Sequence, residues 1–366
     1  MTDFPLPPPD TQDVWDRLAA DTRPICIYGT GNGADKIMDE LDRRGISVFG
    51  VFASDGFVRE REFRGHRVVS YGEICRSFDD FVVLLAFGTS RPDVLANIDR
   101  IKEEHTLLCP DVPAFGGVIF DSSYYREHYD GFLSLHGALA DDESRRVLSL
   151  ILQYKLTGEC SPLYGSASDG EPGEGVLNYE RYETMIDLGA YSGDTMRDAI
   201  GKMPRLQRIF ALEPEPHAYR KLIAYTETVS HPQIITYNAA AWSGNTTIEF
   251  TSDSGRGSSA SAQGHKRTRT RIAAALAVDR IADTRIDYIK FDVEGAEAEA
   301  LSGSAATIRR DRPDLLVSVY HRTEDLLTLP ALVKGLCPNH KLYLRRERGV
   351  PAWGINLYAV TEGENS

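Results

Sequence analysis

Apolar and polar positions follow two alternating regimes along the chain, and each predicts a set of elements. Near the start, "ICIYGTGNGADKIMDELDRRGISVFGVFASD" reads as strand, glycine turn, helix and strand. Apolar runs at 25–28 and 48–52 flank a stretch in which Ile37, Met38 and Leu41 share one helical face. "FVVLLAFG" at 81–88 is the next strand candidate, a helix follows near 91–104, and "HTLLCP" adds a short strand. These elements predict a small, mostly parallel sheet, a Rossmann-like domain of nucleotide-binding type over residues 1–119.

Between about 120 and 164 the period becomes helical. "DDESRRVLSLILQYKL" opens on Asp141 and Asp142 and carries Val147, Leu148, Ile151 and Leu152 in register. This connector is expected to pack between domains or against a second copy in a homodimer. With "YGSASDGEPGEG" at 164–175, a turn-rich stretch expected to be an exposed loop, it fills residues 120–175.

From 184 onward strand and helix signals alternate again: "TMIDLGA", "RIFALEP", "IITYNAAAW", "DYIKFDVE" and "DLLVSVY", then two late strands, "HKLYLRRE" and "GINLYAV". Five strands with helical crossovers and a terminal pair describe an open α/β sheet over 176–366, whose ligand edge lies at the C-terminal ends of its strands. "TSDSGRGSSASAQG" at 251–264 is Ser/Gly-rich and is expected to be a mobile loop, with Arg256 closing over an acceptor or the loop simply disordered.

A chain of 366 residues is long enough for two cores. Its 54 acids against 41 bases give −13, a charge that repels phosphate backbones and anionic lipid and argues against a nucleic-acid partner. The one dense basic patch, "HKRTRTR" at 265–271, reads as a solvated loop or as an anion or acceptor contact. Cys26, Cys75, Cys109, Cys160 and Cys337 are scattered and form no C-x-x-C pair, so neither a disulfide framework nor a zinc knuckle is indicated. "MTDFPLPPPD" lacks the basic start and apolar run of a secretory signal, and no stretch approaches the roughly 18 apolar residues of a membrane span. A cytoplasmic protein with no membrane span is expected.

Two glycine turns differ in chemistry. Gly29-Thr-Gly31-Asn-Gly33-Ala34 fits G-x-G-x-x-A, with Asp55 near the distance expected of a ribose-binding acid. It reads as a site for a nucleotide or NAD, or as no more than a tight strand-to-helix turn. The second turn, "IDLGAYSGDT", sets Asp187, Gly189, Ala190, Tyr191, Ser192, Gly193, Asp194 and Thr195 at a strand exit, with Glu213 and Pro214 at the end of the next strand. This spacing suits a nucleoside ligand without a pyrophosphate. Backbone at Gly189 to Tyr191 approaches an amino-acid moiety, Glu213 accepts ribose hydroxyls, and Asn238, Ala239 and Ala240 flank an adenine. Tyr191, Ser192 and Trp242 fit packing roles equally well.

"MIDLGAYSGDT", "IFALEPEPHAYRKL", "YNAAAWSG", "DYIKFDVEGAEAEALSG" and "PDLLVSVYHRTEDLLTLP" together resemble the FkbM-type S-adenosylmethionine-dependent methyltransferases over roughly 184–360. The "KFDVEGAE" segment sets that family apart from other class I methyltransferases. The resemblance implies a class I, Rossmann-like, seven-stranded fold, S-adenosylmethionine as cofactor, and methyl transfer, usually to a hydroxyl. The upstream region is similar to the leading part of longer family members often associated with surface-polysaccharide biosynthesis. The expected activity is O-methylation of a sugar, nucleotide-sugar or polysaccharide precursor, a small-molecule or glycan acceptor. A non-catalytic scaffold that binds the cofactor without turnover, and an NAD(H) redox enzyme working through the first turn, are the competing readings.

"IKFDVEGAE" is then the exit of the fourth strand into the active-site rim. Period-two alternation puts Lys290 and Asp292 on one side, Glu294 lies just past the strand, and His321 ends the neighbouring strand. An alcohol is a poor nucleophile at neutral pH, so Asp292 or His321 is expected as base, with Glu294 orienting the acceptor. Asp292, Glu294 and His321 also form a candidate Mg²⁺ site. Glu294 as a helix cap and His321 as a surface residue are the plain structural alternatives. Lys290 either pairs with a carboxylate or reaches along the sheet edge.

Overall fold

Short, unbroken apolar runs build two parallel sheets, because a strand covered by helices on both faces has no solvent side to mark with polar residues. The computed structural model describes residues 4–54, 62–251 and 270–361. In the first sheet, β1 (Ile25–Tyr28), β2 (Gly50–Ala53), β3 (Glu62–Phe63), β4 (His66–Ser70), β5 (Val82–Leu85) and β6 (Thr106–Leu108) lie in the order β3-β4-β2-β1-β5-β6. All neighbours are parallel except β3 and β4.

The second sheet uses β7 (Thr184–Leu188), β8 (Arg208–Leu212), β9 (Gln233–Tyr237), β13 (Tyr288–Phe291), β14 (Asp314–Ser318), β15 (Lys341–Arg346) and β16 (Ile355–Val360). Its order is β15-β16-β14-β13-β7-β8-β9, with β16 alone antiparallel to the other strands. From β7 the chain steps outward to β8 and β9, then returns to β13 on the other side of β7. That reversal opens a crevice at the C-terminal ends of β7 and β13, where ligands of open α/β sheets bind. Five strands with crossovers and a terminal pair were legible beforehand, but "IITYNAAAW" is not one strand. It breaks at Asn238, and β10 (Ala239–Ala241) leaves for a small sheet with β11 (Thr246–Thr251) and β12 (Thr270–Leu276).

The connector helix Asp142–Thr157 is capped by Asp141, whose Oδ1 accepts from Ser144 N at 2.8 Å, and ends at Gly158 in the left-handed region. Its apolar face is covered within the chain: Val147, Leu148, Ile151 and Leu152 are fully buried. Ser144 Oγ accepts from Leu344 N at 2.9 Å and Asp141 pairs with Arg345 at 2.7 Å, both on β15. The turn-rich stretch after it is less exposed than expected, since Ser166 is buried and Ser168 N donates to Arg346 O at 2.9 Å. One apolar cluster runs from Tyr28, Phe52 and Val83 through Leu148 and Ile151 to Leu188, Phe291 and Leu344, joining both sheets. Thr89 and Val350 exchange backbone hydrogen bonds of 2.8 and 3.0 Å between the two units. Among the described residues no helix is long and apolar enough to cross a membrane.

Candidate active site

The crevice begins with a buried acid. Asp187, near the end of β7, is inaccessible to solvent; its Oδ1 accepts from Lys290 Nζ at 3.5 Å and its Oδ2 has no hydrogen-bond partner. Burial pushes its pKa up, and the Lys290 ammonium opposes that shift. A buried carboxylate oxygen left unpaired is rare enough in native folds to point to a missing donor. Next, Gly189 takes φ +83°, and a Cβ there would stand 1.9 Å from Asp292 O, so the two strand exits touch at a position only glycine fills. Tyr191 follows in the left-handed region at φ +47°, and its N–H donates to Glu213 Oε2 at 2.9 Å.

Glu213, just past β8, is buried, with Oε1 accepting from Glu215 N at 2.7 Å. Burial raises its pKa while the two backbone donors lower it. Each carboxylate oxygen keeps a second acceptor direction for ribose hydroxyls. Gly193 precedes the helix Asp194–Lys202, which has no side-chain cap, so Asp194 and Thr195 lie in its first turn, and Ser192 is half-buried beside it. Asn238 Nδ2 donates to Glu213 O at 2.8 Å and Pro214 O at 3.3 Å, which pins the end of β9 to the end of β8. Ala239 is buried and Ala240 half-buried on the segment that follows. The predicted cofactor residues therefore converge on one strand edge, and the orphaned Asp187 oxygen, the Glu213 carboxylate and the Gly189 backbone fit an S-adenosylmethionine.

The second half of the crevice is charged. Lys290 Nζ lies 3.5 Å from Asp187 Oδ1 and 3.4 Å from Asp292 Oδ2, so the lysine pairs with two acids and does not reach along the edge. Burial works against its charge, but those carboxylates raise its pKa above the ordinary lysine value. Asp292 Oδ1 also accepts from Ser318 Oγ at 3.1 Å. His321 is 1% exposed, which rules out a surface role. Its Nδ1 donates to Glu297 Oε1 at 2.9 Å, while Nε2 has no hydrogen-bond partner and faces Asp292 Oδ1 at 3.7 Å and Glu294 Oε2 at 3.4 Å. Burial lowers the imidazole pKa, but Glu297, Asp292 and Glu294 outweigh it and push it up to about 9.

Glu297 is the residue that sequence reasoning missed. It opens the helix Glu297–Ser302 and folds back so that Oε1 accepts from Val293 N at 2.9 Å as well as from the histidine. No side-chain hydrogen bond caps that helix, so Glu294 is not its cap; it sits at φ +55° with an exposed side chain. Among the described residues, potential ligand atoms of Asp292, Glu297 and His321 gather within 4.8 Å of one another, a group that includes two of the three expected residues and not Glu294. An unpartnered Nε2 among carboxylates fits a divalent cation, and the Glu297 bond to Nδ1 is the partner that orients a metal-binding histidine.

The first glycine turn has a packing explanation. A Cβ at Gly33 would lie 2.6 Å from Ala86 O, and one at Gly29 2.9 Å from the Phe87 ring, whereas Gly31 opens the helix Asn32–Arg43 with nothing within 4 Å. Asp55, Arg256 and residues 265–269 of the basic patch lie outside the described residues. Trp242 is half-buried, its N–H bound to Leu276 O at 2.9 Å.

Comparison with known proteins agrees with this geometry. Residues 187–336 match the family model described as the methyltransferase FkbM domain. No curated protein matches the sequence significantly. Among solved structures, methyltransferase FkbM from Methylobacillus flagellatus KT is 22% identical with a TM-score of 0.69, over 97% of this chain and 94% of that one, so the fold is shared across both sheets. Fibrillarin from Aeropyrum pernix, solved with S-adenosyl-L-methionine, is 17% identical over 52% of this chain and 71% of that one, with a TM-score of 0.32. Residues 187–336 of this chain thus form a methyltransferase FkbM domain.

Proposed function

We propose that the protein is an S-adenosylmethionine-dependent O-methyltransferase whose acceptor is a hydroxyl of a sugar, nucleotide-sugar or polysaccharide precursor. The observation that carries this reading is the buried Glu297–His321 pair, with Nε2 turned toward Asp292 and Glu294 at the crevice rim. Asp187, the Gly189–Tyr191 backbone, Glu213 and the Asn238 corner hold the cofactor. When bound, it supplies an electrophilic methyl group on a sulfonium. The chain's own part would be to hold the acceptor hydroxyl in line with that methyl group and to take up the hydroxyl proton.

His321, with its pKa at about 9, already carries its second proton at neutral pH. Asp292 is therefore the proton acceptor there, held by Ser318 and Lys290, while the imidazolium steadies the developing negative charge on oxygen. A divalent cation on His321 and Asp292 requires the imidazole neutral, so metal loading competes with that proton and rises with pH. Such a metal would lower the hydroxyl's pKa.

The test is calorimetric titration with S-adenosylmethionine for the wild type and Glu213→Ala, followed by assay of S-adenosylhomocysteine release with UDP-glucose, methyl glucoside and an oligosaccharide, with EDTA or Mg²⁺. Binding lost in Glu213→Ala and release driven by one of these sugars support the reading. Release driven by amines or carboxylates and by none of the sugars overturns it.

A second ligand is favoured by one observation. A cavity of about 290 Å³ at the C-terminal ends of β1 and β2 is lined by Tyr28, Phe52, Ser54, Tyr71, Asn97 and Arg100, a mixture of aromatic faces and hydroxyl-binding groups suited to a nucleotide or nucleotide-sugar. Titration with UDP-glucose and NAD⁺ tests it.

A further inference from the structure

Residues 110–119, which lead from the first sheet to the connector, cross the methyl-transfer rim as a strap. It is fastened along its length. Asp111 and Lys155 form a nearly buried ion pair of 2.6 Å. Lys36, in the helix after the first glycine turn, donates from Nζ to Pro113 O at 2.6 Å and Ala114 O at 2.7 Å. Phe115 N donates to His321 O at 2.9 Å, and Thr323 Oγ1 donates to Val118 O at 2.6 Å. The Phe115 ring stands edge-on to the His321 imidazole, with centroids 6.0 Å apart, and lies against Gly295, where an added Cβ would come within 3.3 Å of it.

We infer that the first sheet unit completes the acceptor site, with Phe115 as an acceptor-positioning residue and Lys36 as the latch that holds it. The inference rests on the hydroxyl-methylation reading and narrows it. A half-buried aromatic ring edge-on to His321 and against Gly295, with Asp292 and Glu294 facing that imidazole, gives one apolar wall and one charged wall. That pairing suits a pyranose ring, whose C–H face packs on the aromatic ring while its hydroxyl edge meets the carboxylates. Two carbonyls of the strap share one ammonium, so removing Lys36 leaves both without that donor and frees the Phe115 backbone to move.

The experiment uses the full chain, and compares the wild type with Phe115→Ala, Phe115→Tyr, Lys36→Met and Lys36→Arg. Calorimetry with S-adenosylhomocysteine should give affinities within about twofold of wild type in all four, which also reports folding. Hydrogen exchange at the Phe115 amide should quicken at least tenfold in Lys36→Met, return toward wild type in Lys36→Arg, and stay unchanged over residues 187–195. For UDP-glucose and methyl glucoside, Phe115→Ala should raise KM at least tenfold with a smaller fall in kcat, and Phe115→Tyr should restore it. Unchanged Phe115 exchange in Lys36→Met overturns the latch, and unchanged KM in Phe115→Ala overturns the acceptor wall. If the wild type methylates neither sugar but does methylate amines, the functional reading and the wall fail together, while the exchange data still decide the latch.

Discussion

His321 Nδ1 and Glu297 Oε1 stand 2.9 Å apart, and each side chain is only 1% exposed. A charge-assisted bond in so dry a place fixes both the ring orientation and the proton, and leaves Nε2 as the working atom. In Glu297→Gln the principal contact raising the imidazole pKa is removed. In metal-free buffer, the NMR titration midpoint of His321 should fall from about 9 by at least one unit. Methyl transfer at neutral pH should drop by roughly 10- to 100-fold, the usual consequence of losing an orienting partner. A midpoint still near 9 would mean that Asp292 and Glu294 hold the proton without Glu297.

The same histidine makes stability depend on pH. Its folded value of about 9 exceeds the ordinary 6.5, so the fold binds the proton more tightly than the unfolded chain does. The resulting stabilisation is complete below pH 6.5 and is lost as pH rises through about 9. Its upper size is on the order of 3 kcal/mol. Urea denaturation of metal-free protein should show the wild type losing stability from pH 6.5 to 9.5, and His321→Gln should flatten that slope. Parallel curves for the two proteins would contradict the assignment.

The legible parts of this fold were those whose cause is local. β8 and β14 left short apolar runs because helices cover the sheet, while Asp187 in β7 and Lys290 in β13 stood out because a strand interior disfavours charge. Glu297 was hidden by its position: two residues past the Gly295 turn it reads as one more acid on a helix, and only the fold turns it toward His321. The strap left no signal, because the contact between Phe115 and His321 joins residues far apart in sequence. Asn238 was placed after the third strand from the sequence, but its bond to the Glu213 carbonyl, which ends β9 and releases β10, joins residues too far apart to read there.

Lys290 lies between two acids that would otherwise face each other, one fully buried and the other 14% exposed. Lys290→Met removes the cation and keeps the volume, so the loss reports the charge. The cost should be about 3–5 kcal/mol at pH 8, as for other buried pairs broken on one side. It should be smaller at pH 5 than at pH 8, because burial already raises the Asp187 pKa and the variant lacks the Lys290 ammonium that opposes that shift. Denaturation at the two pH values measures this. An equal loss at both would assign Lys290 to packing.

Gly31 and Gly33 separate a packed turn from a ligand-binding one. At Gly33 a Cβ would meet the backbone oxygen of Ala86 at 2.6 Å, so Gly33→Ala must push the helix Asn32–Arg43 away from β5. A loss of roughly 1–3 kcal/mol is expected, as for other overpacked contacts. At Gly31 the space is open and φ is −103°, so a side chain there costs the fold less than about 1 kcal/mol while projecting into any volume a phosphate would occupy. Chemical denaturation of Gly33→Ala and Gly31→Val should therefore differ sharply, and calorimetry of Gly31→Val with UDP-glucose and NAD⁺ reads the second property alone. If the wild type binds either ligand and the folded Gly31→Val does not, the turn cradles a phosphate. If the folded variant binds as well as the wild type, these glycines serve the approach of helix to strand, and the ligand lies instead in the cavity under Tyr28 and Asn97.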